Sequence, residues 1–272
     1  MWLAWQPAIV LAGAAGVVAV ALRRATTRNR RFAAAFAGEL SLVLVLYSLW
    51  QLLGALQTVR ETTGFANGYR VYDIERTLHI ANEARIESWI LPYSLLVQAC
   101  NAYYAIVHVP ALIGFLVWLF VRHRDRYPRI RNAVALVTGA CLCIHFAPVA
   151  PPRLYPDLGY VDAAKLYGQS VYGTIGQGLS DQMSAMPSVH MAWALIVAVG
   201  TCTISRSRWR WLAVAHAAAT AFVIVATANH WWLDGIVAGF LVAGVWGLQS
   251  LTAVVVAAVR ARRVPAAIPA PA

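Results

Sequence analysis

Apolar positions fall in seven long runs, at about residues 2–22, 32–58, 92–121, 132–149, 187–204, 211–229 and 231–259, separated by short Arg-rich connectors or longer polar segments. Each run is near or above the ~20 residues a helix needs to cross the hydrocarbon core. The pattern predicts an all-α, polytopic membrane bundle of about seven transmembrane helices. The first run opens MWLAWQPAIV, without a basic region ahead of it or a clear small-residue cleavage site, and is expected to be a retained span. The expected organisation is a first helix with its cytoplasmic loop over 1–31, a membrane domain over 32–259, and a disordered cytoplasmic tail over 260–272.

Two polar segments are too long to be mere connectors. In GYRVYDIERTLHIANEARIESWI, residues 68–90, Val71, Ile74 and Leu78 recur at helical spacing and Ile86, Trp89 and Ile90 continue an apolar side. One or two helices lying in the membrane interface are expected there. The second segment, 148–186, is rich in Pro, Gly and Tyr, and loops of that length are usually functional or disordered.

Composition supports the membrane reading. Hydrophobic residues make up 60% of the 272 and charged residues only 12%, against about a quarter charged in soluble domains. The net charge of +11 raises nucleic acid as a partner, but the placement of the charge argues against one. Arg23, Arg24, Arg28, Arg30 and Arg31 follow the first run, and Arg122, Arg124, Arg126, Arg129 and Arg131 the third. Arg206, Arg208 and Arg210 follow the fifth, and Arg260, Arg262 and Arg263 the seventh. Sixteen of 22 basic residues thus fall on one side, which the positive-inside rule makes cytoplasmic, with the N-terminus outside and the C-terminus inside. The expected location is the plasma (cytoplasmic) membrane. Trp2, Trp5, Trp89, Trp231 and Trp232 fall near the outer boundary, and Trp118, Trp209 and Trp211 near the inner one, as aromatic belts would. Cys100, Cys141, Cys143 and Cys202 lie inside apolar runs without a Cys-x-x-Cys and are read as small buried hydrophobes. Gly235 and Gly239 form a small-xxx-small pair expected to pack closely.

Three stretches at the outer ends of the runs carry candidate chemistry. In AMPSVHMAW, Pro187 is tolerated in a helix's first turn, and Ser188 and His190 occupy that turn beside free backbone N–H groups that favour an anion. In NHWWLDG, His230 and Asp234 are four apart, on one helical face, where a carboxylate fixes an imidazole's tautomer. In APPR, Arg153 offers a guanidinium suited to phosphate oxygens. Singly, each also reads as an ordinary boundary residue; their convergence on one face favours a site. His108, inside the third run, is either a functional group or a helix–helix hydrogen-bonding residue. His145 lies near the outer end of the fourth run.

The order Arg, Pro-Ser-x-His, His-x-x-x-Asp resembles the type 2 phosphatidic acid phosphatase superfamily. YDIERTLHIANE, NAYYAIVHVP, APVAPPR and AMPSVHMAW look like its branch of fungal inositol phosphorylceramide synthases and sphingomyelin synthases. The resemblance covers roughly residues 70–240. It implies a six-helix core with the site at one membrane face and no metal or other cofactor. It also implies His230 as nucleophile forming a phosphohistidine, Asp234 orienting it, His190 as acid on the leaving alkoxide, and Arg153 with Ser188 holding phosphate. The broader superfamily has a Lys, an Arg and a Gly where this chain has Phe146, Ile224 and Val189. Those absences suit the transferase-like branch and leave the clamp with fewer cations; Lys165 is a possible substitute, or a solvated loop charge.

The expected function is therefore a metal-independent lipid phosphotransferase or phosphatase. Its partners would be a lipid phosphate or phospholipid donor, a water or polyol acceptor, and the membrane, with no nucleic acid. Two other classes compete: a histidine-ligated haem or quinone carrier, which needs imidazoles facing each other within the bilayer, and a non-catalytic lipid transporter or scaffold.

Overall fold

The computed structural model describes residues 4–55, 61–169 and 182–262. Among them are helices α1 (Trp5–Ala21), α2 (Arg28–Ala55), α3 (Glu61–Thr77), α4 (Glu83–Ile90), α5 (Ser94–Ile106), α6 (His108–Arg122), α7 (Tyr127–Ile144), α8 (Ala163–Leu166), α9 (Val189–Ile204), α10 (Arg210–Ala226) and α11 (Trp232–Arg262). Two short 3-10 turns precede α8. The described residues hold no strand, only an isolated parallel bridge between Val149 and Ser184. The architecture is the expected all-helical membrane bundle.

Each of the seven apolar runs contains helix. Among the described residues the stretches Arg28–Leu53 and Trp232–Val259 are long and apolar enough, by length and composition, to cross a membrane, or three spans if α5 and α6 count together. Helices α1, α9 and α10, of 17, 16 and 17 residues, rise about 24–26 Å at 1.5 Å per residue. The run lengths overstate the helices because apolar residues also form buried loops: Ala228 and Trp231 are buried and lie between α10 and α11.

The third run is broken. Helices α5 and α6 meet at Val107 with a bend of 46°. Pro110 explains the break, since it has no N–H for the Ile106 carbonyl and its ring would collide with that carbonyl in a continuous helix.

Helices α6, α7, α9 and α11 share one core, built on Phe115, Leu119, Ile130, Val137, Ile196 and Val242. At Gly200 the Phe115 ring takes the place a Cβ would need. By contrast a Cβ at Gly235 or Gly239 would meet only ordinary contacts at 3.7–3.8 Å, so the expected small-residue pair marks no close approach. The Arg-rich connectors gather at one end: Arg131 pairs with Glu39 at 2.6 Å, Arg129 donates to Ser250 Oγ, and Arg124 lies over the Phe120 ring.

The opposite end is roofed by α3 and α4, the two helices expected over 68–90. Half of the expected apolar side lies in their buried face, together with three glutamates. Ile74, Leu78 and Trp89 are exposed, while Gly64, Gly68, Val71, Glu75, Glu83, Ile86, Glu87 and Ile90 are buried. The glutamates share that face because each accepts a backbone N–H, and Glu75 and Glu83 also pair with Arg76. Gly68 is required where Tyr155 crosses α3 and donates its hydroxyl to Phe65 O at 2.8 Å.

Two smaller expectations are also corrected. Trp231, expected in an aromatic belt, is fully buried within the protein, because its ring packs against Tyr72, Tyr155 and Tyr160 and Nε1 donates to Ala150 O. Cys143 is exposed, while Cys100 and Cys141 are buried; all four cysteines are free thiols. Trp2 and the tail beyond residue 262 lie outside the described residues.

Candidate active site

The site is assembled from three segments laced together by their backbones. Val149 N–H donates to Met183 O at 2.7 Å and Ala185 N–H to Val149 O at 3.1 Å, which joins the Arg153 segment to the one entering α9. Arg153 N–H donates to Ala228 O at 2.9 Å, joining it to the turn before α11. Ser188 N–H donates to Asp234 O at 3.1 Å and closes the triangle. Ala228 holds φ at 50°, a left-handed backbone that a non-Gly residue adopts at a cost of about 1–2 kcal/mol. Its carbonyl is thereby turned to the Arg153 amide.

Ser188 is the N-cap of α9, as its position after Pro187 implies: its hydroxyl oxygen accepts Met191 N–H at 3.3 Å. The hydroxyl hydrogen is left to donate. His190, one turn inside, is half-buried, whereas Ser188, His230, Asp234 and Arg153 are buried.

At His230 the tautomer follows from its neighbours. Nδ1 lies 2.8 Å from Ala185 O and 3.1 Å from Asp234 Oδ2, two acceptors, so Nδ1 carries the proton. Nε2 then presents a lone pair, and it is buried with no hydrogen-bond partner among the described residues. The His190 ring is 5.9 Å away, centroid to centroid. Arg153 lies on the same wall, with Nη1 3.4 Å from Asn229 Oδ1 and Nε 3.7 Å from Asp162 Oδ2.

The five residues picked out by motif, Arg153, Ser188, His190, His230 and Asp234, are thus brought together. Of the two supporting candidates, one joins them. His108 sits at the α5–α6 bend with its ring 4.8 Å from that of His190. Lys165 is exposed on α8, and among the described residues no bond or ion pair ties its ammonium to the site. His145 Nε2 faces Pro187 O at 3.2 Å, holding the entrance to α9 rather than the reacting centre.

Sequence reasoning missed the carboxylates under the roof. Asp234 Oδ2 reaches back to Trp231 N–H at 2.9 Å, half of a capping box. The next two free amides of α11 are taken by other helices: Trp232 N–H donates to Glu83 Oε1 at 3.4 Å, and Leu233 N–H to Glu75 Oε1 at 2.7 Å. Glu83 is further held by Arg76 at 3.1 Å and the Tyr160 hydroxyl at 3.0 Å. Glu87 accepts Val161 N–H at 3.2 Å. Burial, followed by the neighbouring Glu83, pushes the Glu75 carboxyl well above the usual range. Burial pushes Glu87 up to about 7, against the opposing Val161 amide. The available signal was the 4- and 8-residue spacing of Glu75, Glu83 and Glu87 around a helix break.

Comparison with curated proteins and with solved structures returns no match. Against protein-family models, residues 69–248, about two thirds of the chain, match the one described as PAP2 superfamily. That interval contains the Arg153 segment, both histidine motifs and the carboxylate roof, and the chain belongs to the PAP2 superfamily, a group of phosphatase- and phosphotransferase-type membrane lipid enzymes.

Proposed function

We propose that the protein is a lipid phosphotransferase that passes a phosphoryl or phospho-head group through a covalent intermediate on His230, as in the inositol phosphorylceramide and sphingomyelin synthase branch. The observation that carries the reading is the state of His230: Nδ1–H engaged by Ala185 O and Asp234, and Nε2 unpartnered.

In the first half-reaction Nε2 attacks phosphorus. An N–P bond forms as the P–O bond to the leaving alcohol breaks, and His190 delivers a proton to that oxygen. Asp234 stabilises the positive charge that develops on the His230 ring, while Arg153 and the Ser188 hydroxyl bond the phosphoryl oxygens. In the second half-reaction an acceptor hydroxyl gives its proton to His190, its oxygen attacks phosphorus, and the N–P bond breaks. Water as acceptor makes the same site a simple lipid- or polyprenyl-phosphate phosphatase. The roof of α3 and α4 favours an alcohol, because transfer requires that water be kept from the intermediate.

The test is a rapid quench of the protein in nanodiscs with [³²P]phosphatidic acid. An acid-labile, base-stable label on the chain is expected, and wild-type turnover with no such label refutes the phosphohistidine. Nucleophile, acid and phosphate clamp are all supplied by side chains, so chelator should leave turnover unchanged. Activity lost to chelator and restored by zinc or magnesium would count against the scheme.

The active site is proposed to face the extracytoplasmic side, opposite the Arg-rich connectors. Lys165→Cys should then label with an impermeant maleimide in intact cells and Arg126→Cys should not. The reverse result inverts the topology.

A further inference from the structure

The proposed chemistry leaves one buried group without a task. His108 is 3% exposed, and neither Nδ1 nor Nε2 has a hydrogen-bond partner among the described residues. An imidazole has one donor and one acceptor when neutral, and buried polar groups in folded proteins are almost always paired. The ring is enclosed by those of His190 at 4.8 Å, Tyr103 at 5.4 Å, His216 at 5.7 Å and Tyr104 at 6.2 Å. Two of these neighbours are committed elsewhere. The Tyr103 hydroxyl lies 2.6 Å from His216 Nδ1 and 3.0 Å from His216 O.

Its location adds a second, independent observation. His108 is the first residue of α6, at the 46° bend forced by Pro110. Broken helices at membrane depth are tolerated where they line a cavity or a substrate path, and ionisable residues at such breaks mark that path.

We propose that His108, with Tyr104 and His190, forms a hydroxyl-binding subsite beside His190, and that it holds the alcohol from which His190 takes, or to which it gives, a proton. The inference rests on the phosphotransfer reading above. Tyr104 packs on His190 at 4.5 Å and reaches His230 at 6.2 Å, so it spans the two imidazoles from the same side. The enclosing side chains are imidazoles and phenols, with no carboxylate or ammonium among them, which suits a neutral hydroxylated group rather than a second phosphate. By microscopic reversibility the same subsite takes the departing alcohol in the first half-reaction and the acceptor in the second.

The experiment separates the two half-reactions. The protein in nanodiscs is given p-nitrophenyl phosphate as donor, whose leaving group needs no proton, and a glycerol series as acceptor. The excess over one in the ratio of p-nitrophenol to free phosphate measures transfer over hydrolysis. In wild type the ratio should rise above one and saturate with glycerol. In His108→Phe, which keeps a ring without hydrogen bonds, p-nitrophenol release should stay within about threefold of wild type. The glycerol needed for half of the wild-type ratio should rise by about tenfold or more, as for a site losing a hydroxyl partner. His108→Asn, which restores a donor and an acceptor, should recover part of it. An unchanged ratio in His108→Phe, or a parallel fall in p-nitrophenol release and transfer, would overturn the subsite. A wild-type ratio fixed at one would also remove the subsite and leave the phosphohistidine intact. Failure of wild type to release p-nitrophenol above the His230→Ala background would instead remove the parent reaction, and the subsite with it.

Discussion

His230→Ala should remove both turnover and the covalent phosphoenzyme, with activity falling at least ~100-fold, because no other group near the phosphate can take the nucleophile's place. The nearest imidazole, His190, is 5.9 Å away by ring centroid and serves the leaving oxygen. The companion variants separate the roles. His190→Ala should cost about 10²–10⁴-fold with a lipid donor, whose alkoxide cannot depart unprotonated. With p-nitrophenyl phosphate the same variant should still form the phosphoenzyme and accumulate it, because the acceptor then lacks a base. Asp234→Asn should be nearly as damaging as His230→Ala. Its amide oxygen can still accept from His230 Nδ1 and Trp231 N–H, but the negative charge opposite the developing imidazolium is gone. Rapid-quench labelling with both donors checks all three. Phosphoenzyme on His230→Ala at wild-type levels would move the nucleophile elsewhere, and His190→Ala impaired equally with both donors would deny it the role of acid.

The motif residues were legible because their spacing is local: four residues from His230 to Asp234 on one helix face, and two from the Ser188 cap to His190. What brings the three motifs together was not legible. The Val149–Ser184 bridge and the bond from Arg153 N–H to Ala228 O are backbone contacts, which side-chain identity does not encode. Helix ends were less legible. Hydropathy carried the runs past the helix ends to Ala228 and Trp231, since a buried loop is as apolar as a helix in lipid. The bend at Val107 had a readable cause in Pro110, yet the continuous apolar run over 92–121 hid it. The amphipathic roof was legible as helices with Val71, Ile86 and Ile90 on one side, but not its buried glutamates, because hydrophobic spacing alone cannot show that Glu75, Glu83 and Glu87 have partners to be buried with.

Those glutamates carry the second large effect. Glu75→Ala and Glu83→Ala should each lower kcat by about tenfold or more with a smaller change in KM, although neither residue is placed at the reacting atoms. Both accept first-turn amides of α11, at Leu233 and Trp232, immediately beside Asp234 and His230. An orphaned, buried amide costs about 1–3 kcal/mol. Relaxing that turn would shift Asp234 against His230, and small misplacements of reacting groups are expensive. Glu75→Gln keeps an oxygen for Leu233 N–H and should stay within about threefold of wild type, which a requirement for charge would not allow. The pH dependence of stability offers a separate readout. Glu87 titrates near 7 in the fold against an ordinary 4.5, so between those values the folded state holds more protons than the unfolded chain. Stability therefore falls as pH rises through that window, and Glu75, also raised, adds a fall in the same direction. The Tm in nanodiscs should drop from pH 5 to pH 8, and Glu87→Gln should flatten the lower part of the fall. A Tm that rises across this range, or Glu75→Gln as inactive as Glu75→Ala, would mean that the roof does not position α11 through a raised Glu75 carboxyl and shared amides.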